Sequence, residues 1–100
     1  MPPVSPARWL ASAQDQALAA LWRGEGSDAF GSWLAAFWRP SARPEPAAAP
    51  LAISVLGGGG AGVRWHEESG VLLGYVPGRP GGCYRVPLAA IFAAQGARAA

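Results

Sequence analysis

Apolar and polar positions alternate along this chain with two different periods. The first segment follows the helical one. Leu10, Ala13, Ala17, Leu18 and Leu21 fall on one side of a helical projection, while Arg8, Ser12, Asp15, Ala19 and Arg23 fall on the other. Ser5 is a good N-cap, Pro6 occupies the first helical position where its missing N–H costs nothing, and Gly24 supplies a stop. The pattern predicts an amphipathic helix over residues 6–23, with Trp9 and Trp22 at the margins of its apolar stripe. A short Gly-Glu-Gly-Ser connection follows, and Ser27 or Asp28 is placed to cap a second helix. Phe30, Trp33, Leu34, Phe37 and Trp38 stand at i, i+3, i+4, i+7 and i+8, the template of one helical face. Arg39-Pro40 ends that pattern, because the residue before proline is steered away from the helical region. A connection this short makes the two helices antiparallel neighbours.

The period changes after residue 50. Leu51–Leu56 is apolar with β-branched residues, and Val63–His66 alternates, with Val63 and Trp65 on one face and Arg64 and His66 on the other. Val71–Val76 and Cys83–Val86 read as further strands. They are separated by turns at Glu68-Ser69-Gly70 and over Pro77–Gly82. Leu88–Gln95 reads as a short helix ending at Gly96. Between the two halves, residues 40–50 (PSARPEPAAAP) hold four prolines and no bulky apolar side chain. That composition reads as an extended or disordered linker. The fold class expected is therefore α+β. Residues 1–39 form a helical hairpin, 40–50 a Pro-rich linker, and 51–100 a small antiparallel β-meander of three or four strands closed by a helical turn.

Composition narrows the functional classes. Lysine, asparagine and threonine are absent, and all eight basic residues are arginine. Such usage follows from GC-rich codons and suggests a bacterial, high-GC source; it also admits a reading frame without selected function. Two capped helices with consistent faces argue against that last option, since agreement between levels is what folding sequences show. The net charge of +2 is mild and the arginines are spread along the chain, without the basic stripe of a nucleic-acid face. Cys83 is alone, so neither a disulfide framework nor a cysteine-based metal site is expected. Prolines interrupt the N-terminus where a signal peptide needs an apolar stretch, and no run approaches a membrane span. The cytoplasm is the simplest setting.

Three constellations bear on chemistry. Gly57–Gly62 satisfies G-x-G-x-x-G after a strand, but a strand pattern follows where a dinucleotide site needs a helix. It reads as a hairpin loop, and no cofactor is expected. His66, the only histidine, stands beside Glu67 and Glu68, yet has no second histidine for a metal site and no orienting partner for Cys83. A solvated histidine on a polar strand face is expected, with no catalytic residue. The aromatic stripe of the second helix needs covering; most of it belongs to the core. Trp33, Phe37 and Trp38 are the candidates to meet another protein chain or a second copy, since tryptophan is enriched at interface hot spots.

The function expected is a small non-catalytic interaction or accessory protein. The sheet's open edge offers a second docking template. The alternative is nucleic-acid binding through Arg79 and Arg85, on and beside a hairpin. Two helices followed by a hairpin is similar in element order to a winged helix-turn-helix, but the third, recognition helix is missing. No residue is carried over from that resemblance.

Overall fold

The computed structural model describes residues 4–25, 29–55 and 62–99, with side chains described as far as residue 96. It is an α+β protein with three helices and a five-stranded antiparallel sheet. Helix α1 spans Pro6–Trp22, α2 Ala29–Ala35 and α3 Leu88–Ala99; the strands are β1 (Trp38–Pro40), β2 (Ala52–Ser54), β3 (Val63–Glu68), β4 (Val71–Tyr75) and β5 (Gly82–Pro87).

Helix α1 forms where its caps place it. The Ser5 hydroxyl accepts the Arg8 amide at 3.3 Å, and Pro6 opens the first turn. At the far end Gly24 takes φ +75°. Its N–H donates to the Leu21 carbonyl while that of Glu25 reaches the Ala20 carbonyl, the Schellman closure. Helix α3 differs from expectation by running through Gly96 to Ala99. The proposed caps Ser27 and Asp28 lie outside the described residues.

Sheet order is β1-β5-β4-β3-β2. The β3–β4 hairpin turns on Ser69 and Gly70, both at positive φ (52° and 79°), the paired left-handed residues that a two-residue hairpin needs. Between β4 and β5, Gly78 (φ +83°) follows Pro77, and the Arg79 amide closes the turn on the Val76 carbonyl. The helices cover one face. There Leu10, Ala7 and Ala11 of α1, Leu34 of α2 and Ile91 of α3 pack on Val63, Trp65, Leu72 and Val86.

Two features correct the sequence reading. The sheet has five strands, not three or four, and the second helix ends at Ala35 rather than Arg39. Trp38 leaves the helix to open edge strand β1, paired with Tyr84. The reason lies in one row across the sheet, Trp38, Tyr84, Gly74, Trp65 and Ala52. The Trp38 ring lies against Gly82 and the Trp65 ring against Gly74, at distances that leave no room for a Cβ on either glycine. Tyr84 sits between the two indoles, with ring centroids 5.0 Å from Trp38 and 6.2 Å from Trp65. Burying the indole in that row, together with the ladder to β5, outweighs one more turn on a seven-residue helix.

The Pro-rich segment has a structural task. Strands β1 and β2 are the two edges, so residues 41–51 must cross the whole sheet, roughly 19 Å at the usual strand spacing. They cross on the face away from the helices, bonded to Arg64, His66 and Glu68 of β3. Its ends stay bonded to the sheet, the Ser41 amide donating to the Gly81 carbonyl and the Leu51 amide to that of Trp65; between them a chain running across strands cannot join the ladder, and proline has no N–H to leave unpaired there. At the other edge, Asp15 of α1 accepts the Ser54 hydroxyl at 3.1 Å and the Val55 amide at 2.8 Å, which guards the end of β2.

Candidate functional site

The first place to test is His66. Strand alternation sends Arg64, His66 and Glu68 to the face that residues 41–50 cross. His66 is buried there, 5% exposed, and not the solvated histidine expected from the sequence. Its Nε2 lies 2.9 Å from Glu45 Oε2. The same carboxylate receives the Arg64 fork, with Nη2 at 2.6 Å and Nε at 2.8 and 3.0 Å. Arg64, whose hydrogen bonds favour the ionised form, holds the Glu45 carboxyl below its ordinary range against the opposing effect of burial. An ionised Glu45 accepts only, so the proton of that contact sits on His66 Nε2. A neighbouring pair, Arg43 Nη2 to Glu68 Oε1 at 3.0 Å, ties the same segment to the end of β3.

This cluster reads chemically as a latch. All three donors converge on one carboxylate that orients them. An open cleft beside it, lined by Pro46, Ala48, Ala49, Leu51, His66, Glu67 and Glu68, holds about 390 Å³. Cys83 is buried on the same face of the sheet, and burial pushes its thiol up, which keeps it protonated and a weak nucleophile. Tyr75, its ring centroid 5.7 Å from that of His66, is likewise raised by burial. Among the described residues no group of three or more His, Cys, Asp or Glu is placed to hold a metal ion. The sequence could not show Glu45 as the partner, because it stands 21 residues from His66 in a segment that reads as a linker.

The second place is edge strand β1. Phe37, Trp38, Arg39, Arg79 and Arg85 meet around it. The Trp38 ring is half-buried, with the Arg79 guanidinium stacked 3.8 Å from its centroid. On the opposite face of the sheet Arg39 and Arg85 line an open cleft of about 520 Å³ together with Phe37, Pro40, Val71 and Pro87. Arg39 Nη1 donates to the carbonyls of Ala36 and Trp38, both at 2.8 Å, and the Arg85 amide donates to the Phe37 carbonyl at 2.9 Å. Among the described residues Arg23, Arg43 and Arg64 pair with carboxylates, whereas Arg8, Arg39, Arg79 and Arg85 pair with none.

The structure thus separates Arg79 from Arg85 by the thickness of the sheet, and it brings Arg85 to Arg39 instead. Arg39 was not legible as a site residue, since its helix was expected to end there. Trp33 lies apart from Trp38. Its ring contacts Phe30, Phe37 and Trp9 at centroid distances of 5.7, 5.0 and 6.4 Å, and it lines a cavity of about 200 Å³ with Trp9, Ala29, Phe30 and Ala94. Trp33 and Phe37 are partly buried against the core. Residues 57–61 of the glycine run lie outside the described residues, while Gly62 (φ +70°) leads directly into β3 rather than into a helix. No helix among the described residues is long and apolar enough to cross a membrane.

No family model matches the chain, and neither a curated protein nor a solved structure matches it.

Proposed function

We propose that this is a small non-catalytic interaction protein, acting in the cytoplasm, that meets another polypeptide through edge strand β1. The observation that carries the reading is Trp38. It is a half-buried indole at a sheet edge, with Arg79 stacked on its ring and the unpaired Arg39 and Arg85 on the sheet's other face. Tryptophan and arginine are the residue types that concentrate binding energy at protein interfaces. β1 itself is three residues long and ends in Pro40, so it is poorly suited to accept another strand; recognition falls to side chains. The groups around His66 are engaged with one another, which favours a structural role for them over turnover.

The test is affinity capture of the tagged protein from its native cytoplasm, with and without nuclease, beside an Arg79→Glu/Arg85→Glu variant. Both arginines are exposed and without carboxylate partners, so the variant keeps the fold. A polypeptide retained through nuclease and lost in the variant is the expected result. A second copy as the partner is read by light scattering of the purified chain. Material that vanishes with nuclease would replace this reading with nucleic-acid binding.

A further inference from the structure

The cleft on the outer side of β1 narrows what that partner must present. Its floor is apolar, from Phe37, Val71, Pro40 and Pro87, and its charged walls are Arg39 and Arg85. Among the described residues no acidic side chain lines it. A volume of about 520 Å³ lies within the range of roughly 300–1,000 Å³ usual for ligand pockets.

Arg39 is held in place before any ligand arrives. Two backbone carbonyls occupy the hydrogens of its Nη1, which leaves the donors on Nε and Nη2 unspent. A guanidinium fixed by neutral acceptors keeps its full charge and has little freedom left to lose on binding. Arg85 approaches from β5, its backbone clamped to Phe37.

We infer that this cleft receives an extended segment of another protein in which an acidic residue stands beside a bulky apolar one. The carboxylate is received by Arg39 and Arg85, and the apolar side chain lies on Phe37 and Val71. The inference rests on the interaction reading above and specifies its partner. A phosphate backbone is disfavoured because it needs a row of cations. Here Arg79 stands on the other face over Trp38 and Arg43 is committed to Glu68, so among the described residues the cleft offers two.

The probe is a capped hexapeptide, Gly-Leu-Glu-Leu-Glu-Gly, titrated into nitrogen-15-labelled full-length protein while the arginine Nε–H signals are followed. A peptide with glutamine for glutamate and a twenty-residue thymidine oligonucleotide are the comparisons. Saturable shifts confined to Arg39 and Arg85 are expected, with affinity about tenfold weaker for the glutamine peptide and for Arg85→Gln, as one charge-assisted hydrogen bond implies. Arg8→Gln, on α1, leaves the titration unchanged. Absence of saturation, equal shifts at every arginine, equal affinity for the neutral peptide, or tighter saturation by the oligonucleotide would each overturn the inference. If cellular capture of a protein survives Arg85→Gln while the peptide titration is silent, this cleft is wrong and the interaction reading stands. If the native chain captures no protein either, both fall.

Discussion

Replacing Glu45 by glutamine tests whether the Pro-rich crossing segment is latched to the sheet by charge. Glutamine keeps the shape and one carbonyl acceptor, so the change removes mainly the charge that holds Arg64 and His66. A fully buried charge-assisted hydrogen bond would contribute about 1.5–3 kcal/mol. Here the pair is partly wet, with side chains 26% and 33% exposed for Glu45 and Arg64, while His66 is 5% exposed. Solvent screening brings the expectation down to about 1–2 kcal/mol at neutral pH. With a urea m-value of about 1 kcal/mol/M for a chain of this size, the unfolding midpoint falls by roughly 1–2 M. Tryptophan fluorescence reads it directly, since Trp65 is wholly buried and Trp38 half so.

The pH dependence fixes the mechanism. Glu45 titrates below its ordinary range when folded, so its contribution is complete above the usual carboxylate value of about 4.3 and is lost as pH falls through the depressed one. The difference between native chain and variant therefore persists at pH 5–7, begins to shrink below the usual carboxylate value of about 4.3, and closes only as pH falls through the depressed one. Equal midpoints at pH 7, or a gap undiminished in acid, would refute the latch.

Three other perturbations probe the frame that holds the site. Gly74→Ala places a Cβ about 2.6 Å from the wholly buried Trp65 ring, and the overpacking costs about 1–3 kcal/mol in urea unfolding. Asp15→Ala removes the acceptor of the Ser54 hydroxyl and the Val55 amide, with an expected loss of about 1 kcal/mol. Hydrogen exchange of the Val55 amide should accelerate more than that of the β3–β4 ladder, and an unchanged Val55 rate would count against the contact. Cys83 is buried and its thiol is pushed up by burial, so a disulfide reagent at pH 8 should modify it only at the rate of opening. A rapid burst in the native protein would place the thiol elsewhere.

The parts legible in the sequence are those set by neighbours in the chain. Ser5-Pro6 and Gly24 bracket α1, and Ser69-Gly70 and Pro77-Gly78 mark turns, because caps and turns depend on a few adjacent residues. Trp38 was misplaced because Phe37-Trp38 fits the end of a helical stripe as well as the start of a strand. The deciding partners, Tyr84 and Gly82, lie more than forty residues away. The crossing segment shows the same limit. Its prolines read as an extended or disordered linker and say nothing of what the segment lies against, and the Glu45–Arg64–His66 contacts appear only once the sheet order puts β1 and β2 at opposite edges. The placing of Arg39 and Arg85 on one cleft likewise follows from β1 joining β5, so a reading of Arg79 and Arg85 as one hairpin patch could not anticipate it.

The most direct test of the proposed interaction at β1 is site-specific photo-crosslinking in cells that express the protein, with the reactive residue at Val71 in the cleft and, for comparison, at Gln16 on α1. The account predicts a polypeptide adduct from position 71 that resists nuclease, is abolished by Arg85→Glu, and is absent from position 16. An adduct from position 16 alone, a nuclease-sensitive adduct, or no polypeptide adduct from position 71 would contradict it.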